Sequence, residues 1–398
     1  MTEPAGRKPL TILIAADTYY PNINGAAQFG YRLARGMSAR GHDVHVVAPR
    51  GGAGGPFTEP REEGTVHRLR SRGVFTHEYF RICLPWEIKA HIRMLFDRVQ
   101  PDVVHVQSHY MIGEQVLYEA VRRGIRVVAT NHFMPENMNP FLPFPQWFKD
   151  IIARNSWRDM GKVMSRADVV TTPTPLAAKA MHEHAFLTKV LPLSNGIDAS
   201  VYELLPGEVV QPPPRPIVLF AGRLAEEKNI NVLIDALARV APDLDVCLEV
   251  VGGGEVRSSL EAQVVRLDLG DRVTFLGLVD DDELRRAYLR ASLFVMPGTA
   301  ELQSLVTLEA MSASTPVVLA DAMALPHLVD GGVNGFLFTP NDSADLAEKM
   351  TRILSLPEDQ LHAMGRASRR MVDRHSHEKT LKTFEALYYG ESRSSETV

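Results

Sequence analysis

Two doubly wound α/β domains, each built on a parallel sheet, are what this sequence predicts. Short, continuously apolar runs rich in β-branched residues recur between longer amphipathic stretches, in two series of six. Such runs mark strands covered on both faces, and strands alternating with helices make parallel sheets. A proline-rich break divides the two series, and 398 residues are more than one hydrophobic core ordinarily organises.

In chain order, the first series is TILIAA (11–16), DVHVVA (43–48), DVVHVQ (102–107), RVVATN (126–131), DVVTTP (168–173) and TKVLPL (188–193). The second is PIVLFAG (216–222), VCLEVVG (246–252), RVTFLG (272–277), LFVMPG (293–298), PVVLAD (316–321) and GFLFTP (335–340). Between them LLPGEVVQPPPRP (204–216) holds five Pro and a Gly, so it is neither helix nor central strand. The domains are expected at 1–200 and 201–375, both Rossmann-like. A terminal helix over 376–390 can cross back to the first domain, and the tail 391–398 is expected to be disordered.

The hydrophobic share of 45% and charged share of 23% are those of a globular protein. No apolar run is long enough to span a bilayer, and TILIAA is too short for a signal peptide. A cytoplasmic chain is expected. Cys83 and Cys247 stand far apart and read as two buried free thiols, and the 14 His form no zinc-ligand cluster. Charge divides unevenly. Residues 1–192 hold 24 Lys+Arg against 17 Asp+Glu, a balance of +7, and the remainder holds 19 against 31, a balance of −12. The basic half favours an anionic partner there. No nucleic-acid partner is expected.

Three loops carry chemistry. After the first strand, Asn24-Gly25 turns into a helix over 26–37, and Gly25 lets backbone amides approach a ligand at a helix N-terminus. The spacing is not GxGxxG, and no acidic residue closes the next strand, which disfavours a dinucleotide; bare turn geometry is the plainer alternative. In FAGRLAEEKNINVLIDAL (220–237), Arg223 and Lys228 flank a loop at the carboxyl edge of the sheet, where ligands of open α/β sheets bind. Two fixed cations there would stabilise a departing diphosphate without a metal. In GTAELQSLVTLEAMSASTPVVLAD (298–321), Glu301 precedes a helix and Glu309 lies inside it, while the amides of Gln303, Ser304 and Leu305 offer a helix N-terminus to phosphate or sugar hydroxyls. Asp280, Asp281 and Asp282 read as an N-cap and first-turn charge, not a metal site.

Arg223, Lys228 and the E-x7-E pair Glu301/Glu309 resemble the signature of the retaining glycosyltransferases of family 4, whose fold is GT-B: two Rossmann-like domains facing across a cleft. AGRLAEEKNINVLIDA, EVVGGGE, FLGLV and ALPHLVDGGVNGFLF stand in that family's order, and the likeness runs over about residues 10–390. It implies a hexose moved from a UDP- or GDP-linked donor to an acceptor hydroxyl, with no cofactor and no metal. By the same resemblance Arg223 and Lys228 grip the diphosphate, Glu309 holds the ribose, Glu301 holds the transferred sugar, and the Gly25 loop approaches the phosphates. His132, just past a strand end in ATNHFMPENM (129–138), resembles the histidine that contacts the donor sugar near its primary hydroxyl. HVQSHYMIGEQ with TNHFMPENM most resembles the diacylglycerol glucosyltransferase and phosphatidylinositol mannosyltransferase branches, which places His109 and Asp17 on the acceptor side. The chain departs from the family at Ser304, where a Gly usually stands after the first Glu, and this leaves the sugar's C2 substituent open.

The front-face mechanism of that family needs no protein nucleophile, and no carboxylate stands where one is required for double displacement. A sugar-nucleotide epimerase and a nucleotide-sugar-binding protein without catalysis are the alternatives. For the acceptor, WEIKAHIRMLFDRV (86–99) sets Ile88, Ile92, Leu95, Phe96 and Val99 on one stripe, and NPFLPFPQWF (139–148) gathers three Phe and a Trp. These read either as core with an aromatic cap or as an apolar, basic surface that docks on an anionic membrane and takes a glycerolipid. A small soluble acceptor is the other option.

Overall fold

The computed structural model describes residues 7–22, 24–74, 77–135, 144–211, 213–241 and 244–391. Phe141 with the first half of the aromatic run, and the tail beyond residue 391, lie outside them. The chain forms two compact units: Met1–Ser194 with Lys379–Val398, and Asn195–Glu378. The first division falls ahead of the proline-rich run, six residues before the expected boundary at 200.

Unit 1 holds an eight-stranded sheet in the order β10-β9-β8-β7-β1-β2-β4-β3. In chain order its elements are β1 (Thr11–Ala15), α1 (Gly25–Ala39), β2 (Asp43–Pro49), β3 (Phe57–Arg61), β4 (Gly64–Leu69), β5 (Arg72–Val74), β6 (His77–Ile82), α2 (Pro85–Val99), β7 (Val103–Val106), α3 (Met111–Arg122), β8 (Arg126–Thr130), α4 (Gln146–Met164), β9 (Val169–Thr172), α5 (Pro175–Ala185) and β10 (Val190–Pro192). All neighbours in the sheet are parallel except β3 with β4, and β5 and β6 form a separate hairpin ladder. The strands at the centre are buried throughout, as their unbroken apolar runs require.

Unit 2 holds a six-stranded parallel sheet in the order β13-β12-β11-β14-β15-β16. Its elements are β11 (Ile217–Ala221), α6 (Ile230–Leu237), β12 (Cys247–Val251), α7 (Arg257–Arg266), β13 (Val273–Gly277), α8 (Asp281–Arg290), β14 (Leu293–Met296), α9 (Leu305–Ser312), β15 (Val317–Ala320), β16 (Gly335–Phe338), α10 (Ser343–Leu354) and α11 (Glu358–Val372). Asp280 caps α8 by accepting from the Glu283 amide at 2.8 Å, the role read from the acidic run. Arg285 of α8 pins the stretch after residue 200: it donates to the carbonyls of Val201 and Glu203 and to the Glu208 carboxylate. That is why the proline-rich run packs within unit 2.

The last helix, α12 (His377–Tyr388), contributes to the core of unit 1. Leu381, Phe384, Leu387 and Tyr388 join Phe29, Leu33 and Met37 of α1 there. Gly36 makes the approach possible, because a Cβ on it would lie 2.5 Å from the Leu381 side chain. His105 of β7, fully buried, bridges the Tyr388 hydroxyl at 2.6 Å and the Thr130 hydroxyl at 2.8 Å. Cys83 is buried, and burial pushes its thiol up to about 12; Cys247 is only half-buried, beside Arg215, so the expectation of two buried thiols holds for one. No helix among the described residues is long and apolar enough to cross a membrane.

Burial holds four histidines of unit 1 neutral: His67 is pushed down to about 4, His105 to about 3, His109 to about 4 and His132 to about 3. An unfolded histidine takes up its proton near pH 6.5, so below that pH the unfolded chain binds protons that the folded unit cannot. Stability is therefore complete above about pH 6.5 and falls as pH is lowered toward 4. Urea unfolding of unit 1, followed at pH 7.5, 6 and 5, is expected to show a steadily lower midpoint; an unchanged midpoint contradicts the burial of these rings.

Candidate functional site

The site in unit 2 is built from two loops at the carboxyl ends of β11 and β14. Gly222 follows β11 at φ 146, a conformation open to glycine, and turns the chain so that Arg223 leaves the sheet edge. Beneath it, Gly252 has φ 128, and a Cβ there would meet the Gly222 carbonyl oxygen at 1.9 Å. The glycines of GRL and VVGGGE are therefore one packing unit. Lys228 closes a short 3-10 turn, Glu226–Lys228, and Asn229 follows in the left-handed region. The Asn229 amide donates to the Pro297 carbonyl at 3.3 Å and to the Thr299 hydroxyl at 3.2 Å, and the Thr299 amide donates to the Glu227 carbonyl at 3.2 Å. These bonds stitch the cationic loop to the loop that carries Glu301.

Both cations are held by carboxylates. Arg223 pairs with Glu227 and, at 3.0 Å, with Glu255. Lys228 pairs with Glu301, which is buried. The sequence reads Arg223 and Lys228 as two fixed cations for a departing diphosphate; the structure gives each a carboxylate partner that an incoming diphosphate would have to replace. Glu227 and Glu255 were not singled out from the sequence, although the spacing of Arg223 and Glu227 is that of a helical ion pair.

Beyond Glu301, α9 begins at Leu305 with Ser304 as N-cap, and no side chain caps it. The Ser304 hydroxyl instead accepts from Thr307 at 2.8 Å, which leaves the first-turn amides without a side-chain acceptor. Gln303 turns inward: its side-chain oxygen accepts from the Asn195 amide at 2.8 Å, and its nitrogen lies 3.4 Å from His375. Glu309 lies in the middle of α9, buried, and its carboxylate accepts from the Tyr288 hydroxyl at 3.0 Å. Tyr288 and the Gln303 side chain went unread in the sequence. Tyr288 looks like any aromatic on the apolar face of α8, and a glutamine's direction is not written in its neighbours.

In unit 1, Gly25 heads α1, and the Asn24 side chain caps the helix by accepting from Ala27 at 2.9 Å. A Cβ on Gly25 would meet nothing within 4 Å, so the protein's own packing does not demand glycine there. His132 is half-buried 4.5 Å from the Phe29 ring, and its Nε2 is sealed without a hydrogen-bond partner. His109 is buried against Tyr110, neither ring nitrogen partnered. Asp17, expected on the acceptor side, is engaged within its own unit. Its carboxylate accepts from the Ser108 hydroxyl, the Ile112 amide at 2.9 Å and the Gly113 amide at 3.3 Å, so it caps α3 and fixes the loop that carries His109. Burial raises its pKa, against the pull of those three donors.

Of the two readings of the α2 stripe, the structure gives core. Ile88, Ile92, Leu95 and Phe96 are all buried. The opposite face exposes Trp86 at 74% and Met94 at 57%, with Lys89 and Arg93 beside them. Of the aromatic run, Phe144, Trp147 and Phe148 are described: the first two are exposed, and Phe148 is half-buried against both.

With this geometry in place, comparison with known proteins is direct. Residues 203–371 match the family model of glycosyl transferases group 1, and residues 23–201 match that of glycosyltransferase family 4. A GDP-mannose-dependent alpha-mannosyltransferase of Mycolicibacterium smegmatis is 28% identical over 79% of this chain and 80% of its own. An alpha-monoglucosyldiacylglycerol synthase of Streptococcus pneumoniae is 24% identical over 83% of this chain and 75% of its own. The Anabaena protein HepE, solved with UDP and glucose, superposes with a TM-score of 0.74 at 20% identity, over 96% of this chain and all of that one, and so shares the fold.

Replacing either cation tests the diphosphate assignment. Arg223→Ala and Lys228→Ala are each expected to cut turnover on the order of a hundredfold. Arg223→Ala should leave the thermal midpoint little changed because the side chain is partly exposed, whereas Lys228→Ala should lower it by leaving the buried Glu301 carboxylate unpaired. Near-normal turnover of either variant, in a coupled assay for the released nucleotide, contradicts its place at the leaving group.

Proposed function

The chain belongs to the family 4, group 1 glycosyltransferases, and from that membership we propose that it moves a hexose from a nucleoside-diphosphate sugar to a lipid hydroxyl with retention of configuration. The observation that carries this is the juxtaposition in unit 2 of Lys228 with Glu301, beside Arg223 and the side-chain-free N-terminus of α9. Arg223 and Lys228 exchange their carboxylates for the diphosphate. Glu301, released from Lys228, accepts from the hydroxyls of the transferred sugar. Glu309 accepts from the ribose, and Gly25 leaves room at the head of α1 for phosphate oxygens.

In the reaction the bond from the anomeric carbon to the phosphate oxygen breaks, and the acceptor oxygen bonds to the same face of that carbon. The acceptor's proton passes to the departing phosphate oxygen. The protein's part is to hold the reactants and to stabilise the charge that grows on the diphosphate. His132, neutral through burial, is suited to a sugar hydroxyl, which both donates and accepts, and neutral His109 to an acceptor hydroxyl. Two cations and a helix terminus match the diphosphate charge, so no metal is assigned. Proton NMR of the product formed in excess EDTA is expected to show the donor's anomeric configuration; an inverted product, or activity that returns only with magnesium or manganese, overturns the mechanism.

The lipid acceptor rests on the exposed face of α2. Trp86 and Met94 with Lys89 and Arg93 present apolar and cationic groups together, and Phe144 and Trp147 add exposed aromatics. Such a face binds anionic bilayers peripherally and in a salt-sensitive way, and a glycerolipid is named in the pneumococcal relative. Wild type is expected to sediment with phosphatidylglycerol vesicles at low salt, and the triple variant Trp86→Ser, Met94→Ser, Trp147→Ser to remain in solution with nucleotide binding intact. A wild type that stays in solution points instead to a soluble acceptor.

A further inference from the structure

Beneath Glu309 lies a residue with no assigned part in donor binding, and we propose that Tyr288 is a positioning residue for nucleotide recognition, acting through the Glu309 carboxylate. The inference rests on Glu309 being the ribose ligand, as read above. α8 is a strongly charged helix, DDELRRAYLR, and of its ten residues only Ala287 and Tyr288 are fully buried. A helix that needs only to cover apolar surface at that position is served by Phe or Leu. A fully buried tyrosine brings one polar atom that must be satisfied, and here its hydroxyl donates to Glu309 at 3.0 Å.

The ring that carries this hydroxyl is held from several sides. Tyr202 meets it edge-on with centroids 5.6 Å apart, and Phe294 of β14 lies 6.1 Å away. Its own backbone carbonyl accepts from the Thr315 hydroxyl at 3.3 Å, which ties α8 to the turn that ends α9. Glutamate, by contrast, has three rotatable side-chain bonds. A hydrogen bond from a rigid donor selects one rotamer before the nucleotide arrives, so the ribose does not have to order the carboxylate. The bond occupies part of one oxygen of a carboxylate that can accept about four hydrogen bonds in all.

The test is a double-mutant cycle read by calorimetry with UDP and GDP as the probes, on wild type, Tyr288→Phe, Glu309→Ala and the double variant. Tyr288→Phe is expected to weaken the bound nucleotide between about tenfold and a hundredfold, the range for a hydrogen bond to a charged group. In the Glu309→Ala background the same change is expected to cost no further affinity. At saturating donor, kcat of Tyr288→Phe should stay within about twofold of wild type, since the loss is confined to binding. Wild-type affinity in Tyr288→Phe, or losses that add across the cycle, overturns the proposal while leaving Glu309 in place. Wild-type affinity in Glu309→Ala removes the ribose assignment itself, and the proposal with it. Near-equal thermal midpoints of wild type and Tyr288→Phe exclude unfolding as the cause.

Discussion

The ion pair between Lys228 and Glu301 joins the two loops on which the unit 2 site depends. One loop leaves β11 through Gly222 and reaches Lys228 in a single 3-10 turn; the other leaves β14 and reaches Glu301 just ahead of α9. Neither loop has a regular ladder to hold it. Asn229, Thr299 and the Glu227 carbonyl supply the neutral bonds, and the charged pair sets the register. A buried carboxylate without a cation is costly, and so is a cation without a carboxylate. Each keeps the other in place until an anion arrives. In the proposed reading, a donor brings both a diphosphate for Lys228 and hydroxyls for Glu301, so one ligand would satisfy both halves of the pair it separates.

The parallel sheets explain why these loops meet at all. In unit 2 every sheet neighbour is parallel, so each strand delivers its following loop to the same edge. β11 and β14 are adjacent, and this brings residues 223–229 and 297–304 together although more than 60 residues separate them in sequence. In unit 1 the same rule aligns the ends of β1, β7 and β8, where Asp17, His109 and His132 follow.

The strand runs, the two-unit organisation and the cationic and acidic loops were legible because each leaves a local mark: an unbroken apolar run, a Gly at a turn, a Glu ahead of a helix. What was not legible depends on direction. The apolar stripe of α2 was a correct helical period, but a period cannot say whether its stripe faces a sheet or a membrane, and Ile88, Ile92, Leu95 and Phe96 face the core. The exposed pair Trp86 and Met94 lies on the other side, among charges that hid it. Asp17 was visible as a polar residue after a strand, but its use as the cap of α3 requires Ser108 and the 112–113 amides, which lie some 90 residues on. Tyr288 is the same case in unit 2: its hydroxyl has meaning only once α8 and α9 are packed.

The two units handle charge in opposite ways, and this bears on how the proposed chemistry is divided. Unit 2 keeps its site residues charged and compensated: Arg223 between two carboxylates, Lys228 on a third. Unit 1 keeps His109 and His132 uncharged by burial, pushed down to about 4 and about 3. A diphosphate requires the first environment, since its negative charge grows as the glycosidic bond lengthens. Sugar and acceptor hydroxyls suit the second, because a neutral imidazole can both donate and accept, whereas a protonated one can only donate. The burial that lowers these two pKa values also makes both rings weak bases, so in the proposed reaction the acceptor's proton passes to the leaving group rather than to them, and the same burial lowers unit 1's stability in acid.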